Sequence, residues 1–127
     1  MTEISIHVRS DIRPTESLEK VQVAISNLFG DIELHVTSSD QSAVEGFLEG
    51  LVSLQVLRKL LRRLSIKDAA RTVFLKNLDG NALTFSLNKQ AAYAGRVSFH
   101  NSDDSSLGPI RVLIQGNVSS VVKFLCG

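Results

Sequence analysis

Five short segments of the chain alternate apolar with polar residues, and this period-two pattern limits the fold more than any other feature. Ile4, Ile6 and Val8 alternate with Ser5, His7 and Arg9, and Ile32, Leu34 and Val36 with Glu33, His35 and Thr37. Leu83, Phe85 and Leu87 alternate with Thr84 and Ser86, and Val97 and Phe99 continue the series. Gly108-Pro109 introduces the last, with Ile110, Val112 and Ile114 on one face. Each reads as a strand that buries one side only.

The segments between them carry the spacing of helices. Leu18, Val21, Ile25 and Leu28 recur at three and four residues, after Thr15 or Ser17 as N-cap and before Gly30 at the C′ position. Ser42 and Glu45 match a capping box, which predicts a short helix weakening near Gly46 and Gly50. Val52, Val56, Leu57, Leu60, Leu61 and Leu64 trace a further apolar face. Ser65-Ile66 breaks it, Lys67 to Leu78 reads as the next helix, and Asp79-Gly80-Asn81 as a turn. Asn88 caps a single turn through Tyr93, closed by Gly95, and Asn117 caps a last helix on Val118, Val121, Val122 and Leu125. The expectation is one α+β domain over residues 1–127, in two layers, with about five mostly antiparallel strands packed against helices.

Composition supports this. The 127 residues, 43% hydrophobic and 21% charged, suit one ordered globular domain with a core of its own. Cys126 is the single cysteine, so no internal disulfide forms and a reducing, cytoplasmic setting is expected. The first residues lack the pattern of a signal peptide. The longest apolar stretch, Phe47 to Leu64, is interrupted by glycine, serine and five charges, so no membrane span is expected.

Motifs for chemistry are missing. His7, His35 and His100 fall at outward strand positions without ligand-like spacing and read as solvated. Cys126 has no paired thiol, Asp103 and Asp104 sit in a Ser-rich loop unlike a calcium loop, and Glu16 and Glu19 suit a helix start. The expectation is a protein that is not an enzyme, with no catalytic residue, metal or cofactor.

Charge layout is more informative than net charge, which is +1. Residues 1–57 hold three basic against nine acidic residues, a balance of −6. Residues 58–76 hold seven basic residues against Asp68 alone, a balance of +6. Arg58 with Arg62 and Lys59 with Arg63 are like-charge pairs at i,i+4 with no acid one turn earlier, and Lys67 with Arg71 repeats the spacing. Phosphates would relieve such a cluster. So would Glu16, Glu19, Glu45 or Glu49 folding against it, or plain solvation. The polar side of the strands, including Arg9, Ser86, Arg96 and Arg111, forms a second, mildly basic surface suited to solvent, a dimer seam or further phosphate contacts.

The stretch Leu87-Asn88-Lys89-Gln90-Ala91-Ala92-Tyr93-Ala94-Gly95-Arg96-Val97-Ser98-Phe99, with Leu107-Gly108-Pro109-Ile110-Arg111-Val112 after it, resembles an archaeal family of uncharacterised proteins. Pro14-Thr15-Glu16, Lys20-Val21, Asn27-Leu28-Phe29 and Asp68-Ala69-Ala70-Arg71 are similar too, so the resemblance spans nearly the whole chain. That family is classed with predicted RNA-binding proteins, predicted exosome subunits among them. Its fold is like that of the ribosomal protein that docks the smallest rRNA onto the large subunit. The resemblance implies RNA binding and is compatible with dimers. The leading expectation is therefore a non-catalytic RNA-binding protein. Arg58, Lys59, Arg62, Arg63, Lys67 and Arg71 are its expected phosphate contacts, with Lys89 and Arg96 as further candidates. The alternative is a protein–protein or homodimerisation module whose basic helix meets the acidic half of a second copy.

Overall fold

The computed structural model describes residues 4–38, 42–99 and 109–127. Six antiparallel strands form one sheet in the order β2-β3-β1-β6-β5-β4. They are β1 (Ile4–Asp11), β2 (Leu34–Ser38), β3 (Ser42–Glu49), β4 (Leu78–Asp79), β5 (Ala82–Leu87) and β6 (Ile110–Gly116). Five helices accompany them: α1 (Leu18–Phe29), α2 (Gln55–Arg63), α3 (Lys67–Lys76), α4 (Lys89–Tyr93) and α5 (Val118–Cys126). This is the α+β architecture expected from the alternating segments, with one strand more.

The inward residues of β1 (Ile4, Ile6, Val8), β5 (Leu83, Phe85, Leu87) and β6 (Ile110, Val112, Ile114) are all buried. Val21, Ile25 and Leu28 of α1, Leu57 and Leu61 of α2 and Phe74 of α3 meet them in one cluster, with Val121 and Leu125 of α5. Burying apolar surface this way is the main stabilising term, at roughly 25 cal/mol per Å². Phe74 lies 4.9 Å from the Phe85 ring and 5.6 Å from the Phe99 ring, closing the core beside the β5 edge.

Side-chain caps form at the starts of α4 and α5. Asn88 accepts a hydrogen bond from the Ala91 amide at 2.9 Å, and Asn117 one from Ser120 at 3.2 Å, as N-caps do. Ser65 takes φ of 57° at the break between α2 and α3. The turn at Gly80 joins β4 to β5 in a hairpin, so the helix expected to reach Leu78 ends at Lys76. Ser17 occupies the N-cap position of α1 without a side-chain cap bond. Val97 and Phe99 contribute one isolated bridge, Leu87 to Phe99, instead of a full strand. His100, Asp103, Asp104 and the rest of the expected 101–106 loop lie outside the described residues.

The capping-box helix at Ser42 is corrected: Ser42–Glu49 is a strand, inserted between β1 and β2. A local S-x-x-E match stabilises a helix end by about 1 kcal/mol. Seven residue pairs with β1 and five with β2 satisfy the backbone on both sides and outweigh it. Gly46 suits the strand because a Cβ there would sit 2.9 Å from the Glu33 carbonyl oxygen and 2.9 Å from side-chain carbons of Ile32 and Leu34.

Candidate nucleic-acid interface

The basic residues of α2 and α3 divide into two sets that face different surroundings. Four residues carry an α2 side chain round by more than a full turn, so Arg58 and Arg62 share one face and Lys59 and Arg63 another. The Arg58 face points at the end of α5. A helix leaves its last carbonyls without intrahelical donors and its C-terminus partly negative. Arg58 donates through Nε to the Phe124 carbonyl at 3.0 Å and lies over the Phe124 ring, 5.2 Å from its centroid. Arg71, from α3, donates to the Cys126 carbonyl at 2.6 Å, and Arg62 reaches the Gly127 carbonyl at 3.4 Å. Three arginines of the basic segment thus clamp the carbonyl end of α5.

The acids do not fold against the segment. Among the described residues Glu16 pairs with Lys89, while Glu45 pairs with His7 and Arg9. No ion pair of the described residues involves Arg58 through Lys76.

Lys59 and Arg63 are exposed and line a groove with Asn27, Val56, Leu60 and Gly95. The Asn27 amide donates to the carbonyls of Ala92 (3.0 Å) and Tyr93 (3.2 Å), which ties α1 to the end of α4 and fixes the groove's far wall. Arg96, exposed, follows directly on Gly95. Lys67, at the start of α3, is half-buried. Lys89 is placed elsewhere, only 8% exposed, with its ammonium donating to both Glu16 carboxylate oxygens at 3.0 and 3.1 Å and to the Asp11 carbonyl. Its charge is engaged in joining α4 to the segment before α1.

On the sheet face away from the helices, the register lines up Ser86, Arg111, Arg9, Glu45 and His35 across five strands. The adjacent row holds Thr84, Leu113, His7 and Phe47. His7 stacks on Phe47 with centroids 4.7 Å apart and planes 20° apart, and its Nε2 lies 2.8 Å from Glu45 Oε2. The solvated-histidine reading therefore needs refining for His7, which is half-buried and doubly held. Phe47 is 62% exposed. Its segment matches a helix start as well as a strand, and the alternation of Val44, Gly46 and Leu48 with Glu45, Phe47 and Glu49 is the sequence signal that puts Phe47 on the open face.

Cys126 is buried, and burial pushes its thiol pKa up, with nearby Arg71 and Lys67 pulling the other way. A shielded thiol of this kind is a poor nucleophile.

Comparison with known proteins matches residues 5–115 to the sequence model of a family described as RNA binding. A UPF0201 protein of Sulfurisphaera tokodaii is 44% identical over 117 residues, covering 91% of this chain and 79% of that protein. A crystal structure of a UPF0201 protein from Methanococcus jannaschii superposes with a TM-score of 0.85 at 35% identity, covering 97% of this chain and 99% of that one. Another UPF0201 crystal structure gives 0.84 at 34% identity, covering 96% and 92%. The fold, the distinctive Asn88–Gly95 stretch and these matches agree: the chain belongs to the archaeal UPF0201 family, and its residues 5–115 match the family model described as RNA binding.

Proposed function

We propose that the protein is a non-catalytic RNA-binding protein that holds phosphates of structured RNA at the groove between α1, α2 and the turn after α4. The observation that carries this reading is the placement of Lys59 and Arg63 on that groove, without an acidic partner among the described residues. Arg96, next to Gly95, extends the same contact set, whereas Lys67 lies near Cys126 and is not part of it. Arg58, Arg62, Arg71 and Lys89 are left out of it, because each already gives at least one N–H to an acceptor of the fold. Two cations one turn apart match successive phosphates as point charges, and recognition by charge and shape needs no base-specific contact. No helix among the described residues is long and apolar enough to cross a membrane, and a cytoplasmic setting fits an RNA ligand.

The test is fluorescence anisotropy of a labelled structured RNA against wild type and the double variant Lys59→Glu, Arg63→Glu. The double variant is expected to bind about 10-fold more weakly at low salt, and to lose about two units of slope in log affinity against log salt. Unchanged affinity and slope would remove the groove from the interface.

A further inference from the structure

We infer that the open face of the sheet binds unpaired nucleotides of RNA, stacking a base on Phe47, which the His7 ring backs, and drawing phosphates to Arg111 and Arg9. This rests on the RNA-binding reading and adds a second surface, on the other side of the sheet from the α2 groove, with a different preference.

The first observation is aromatic. Phe47 leaves most of its surface in water, on β3 just past the end of its pairing with β2, where a polar residue would cost less. It is held in place by the parallel His7 ring, and His7 is held in turn by Glu45. The His7 ring covers one face of Phe47 and fixes its orientation, which leaves the outer face of Phe47 for a base to stack on.

The second observation is electrostatic. Arg9 and Arg111 stand directly opposite each other on β1 and β6, an arrangement that costs stability between like charges. Arg9 is partly relieved by Asp11 at 3.7 Å and Glu45 at 4.0 Å. Arg111 is exposed and has no acidic partner among the described residues. An anion between the two guanidiniums would remove the repulsion.

The third observation gives direction. β5 and β6 contain no acidic residue, whereas β3 presents Glu45 and Glu49 on this face. Phosphates are therefore favoured over β6 and β5, and bases over β1 and β3. Ser86 and Thr84 pair across from Arg111 and Leu113, offering hydroxyl donors to phosphate oxygens or to the ribose 2′-OH. His7, Arg9, Ser86 and Arg111 line one hollow, which extends past β5 to Asn77 and Phe99.

Anisotropy with two labelled probes, a 10-nucleotide oligouridylate and a 16-base-pair RNA duplex, tests the inference. Phe47→Ala and Phe47→Leu are each expected to weaken oligouridylate binding about 10-fold and to leave duplex binding unchanged. Leucine keeps apolar bulk without a ring, so it separates stacking from packing. Arg111→Glu is expected to weaken oligouridylate binding and lower its salt slope by about one. Full oligouridylate affinity in both Phe47 variants, with the duplex still bound, overturns the inference and leaves the general RNA reading intact. Wild type that binds neither probe overturns both. A Phe47 variant whose mass by light scattering falls while its RNA affinity holds also overturns the inference, assigning the face to a second copy of the chain.

Discussion

Lys89 shows how a residue's role is set by partners far away in sequence. Its ammonium is buried against Glu16, 73 positions earlier, and both side chains are largely shielded. Removing one member of such a pair strands the other's charge. Lys89→Met is expected to cost about 3–5 kcal/mol in urea unfolding, and Lys89→Met with Glu16→Leu to recover much of it. RNA affinity of the folded variants should stay at the wild-type value. A stability loss under about 1 kcal/mol in the single variant would contradict the buried pair. Nothing near Lys89 in the sequence announces Glu16, so lysine in a distinctive stretch read as a phosphate contact. The caps at Asn88 and Asn117 were legible because a cap needs only the three residues that follow it.

Among the elements, β3 and the end of α5 depart most from sequence rules. Ser42–Glu49 satisfies a helix-start motif and a strand alternation at once, and only pairing with β1 and β2 decides between them. Gly46 records that outcome. Gly46→Ala would force a Cβ against the Glu33 carbonyl and is expected to destabilise by about 1–3 kcal/mol in denaturant unfolding, where a helix would gain stability from the same change. At α5, the clamp accounts for arginines that looked uncompensated. A sequence shows acids and bases, but the partial negative charge of a helix end emerges only once that helix is docked. Arg58→Ala and Arg71→Ala are each expected to lower stability by about 1–2 kcal/mol while leaving RNA affinity within twofold. A large affinity loss without a stability loss would return those arginines to the interface.

For the whole molecule, one-sided strand patterning foretold a sheet with helices on one face and a polar face left open, and that layout organises both candidate surfaces. On the proposed reading, the basic segment supplies two groove cations, Lys59 and Arg63, while three of its arginines hold the end of α5. Charge counting along a chain cannot separate Lys59 and Arg63, which reach a groove, from Arg58, Arg62 and Arg71, which hold a helix. The open face is legible in the sequence as mildly basic, but its exposed aromatic, Phe47, lies in a segment that satisfies a helix-start motif and a strand alternation at once. The central claim is that the cations lining the groove, a subset of a larger basic set, bind RNA phosphates. It is tested most directly by the salt dependence of RNA binding for wild type beside Lys59→Glu, Arg63→Glu and beside Arg58→Ala. The account predicts a steep fall in wild-type affinity with salt, a slope shallower by about two in the double variant, and a wild-type slope in Arg58→Ala. Equal slopes in all three proteins, or wild-type affinity indifferent to salt, would contradict it.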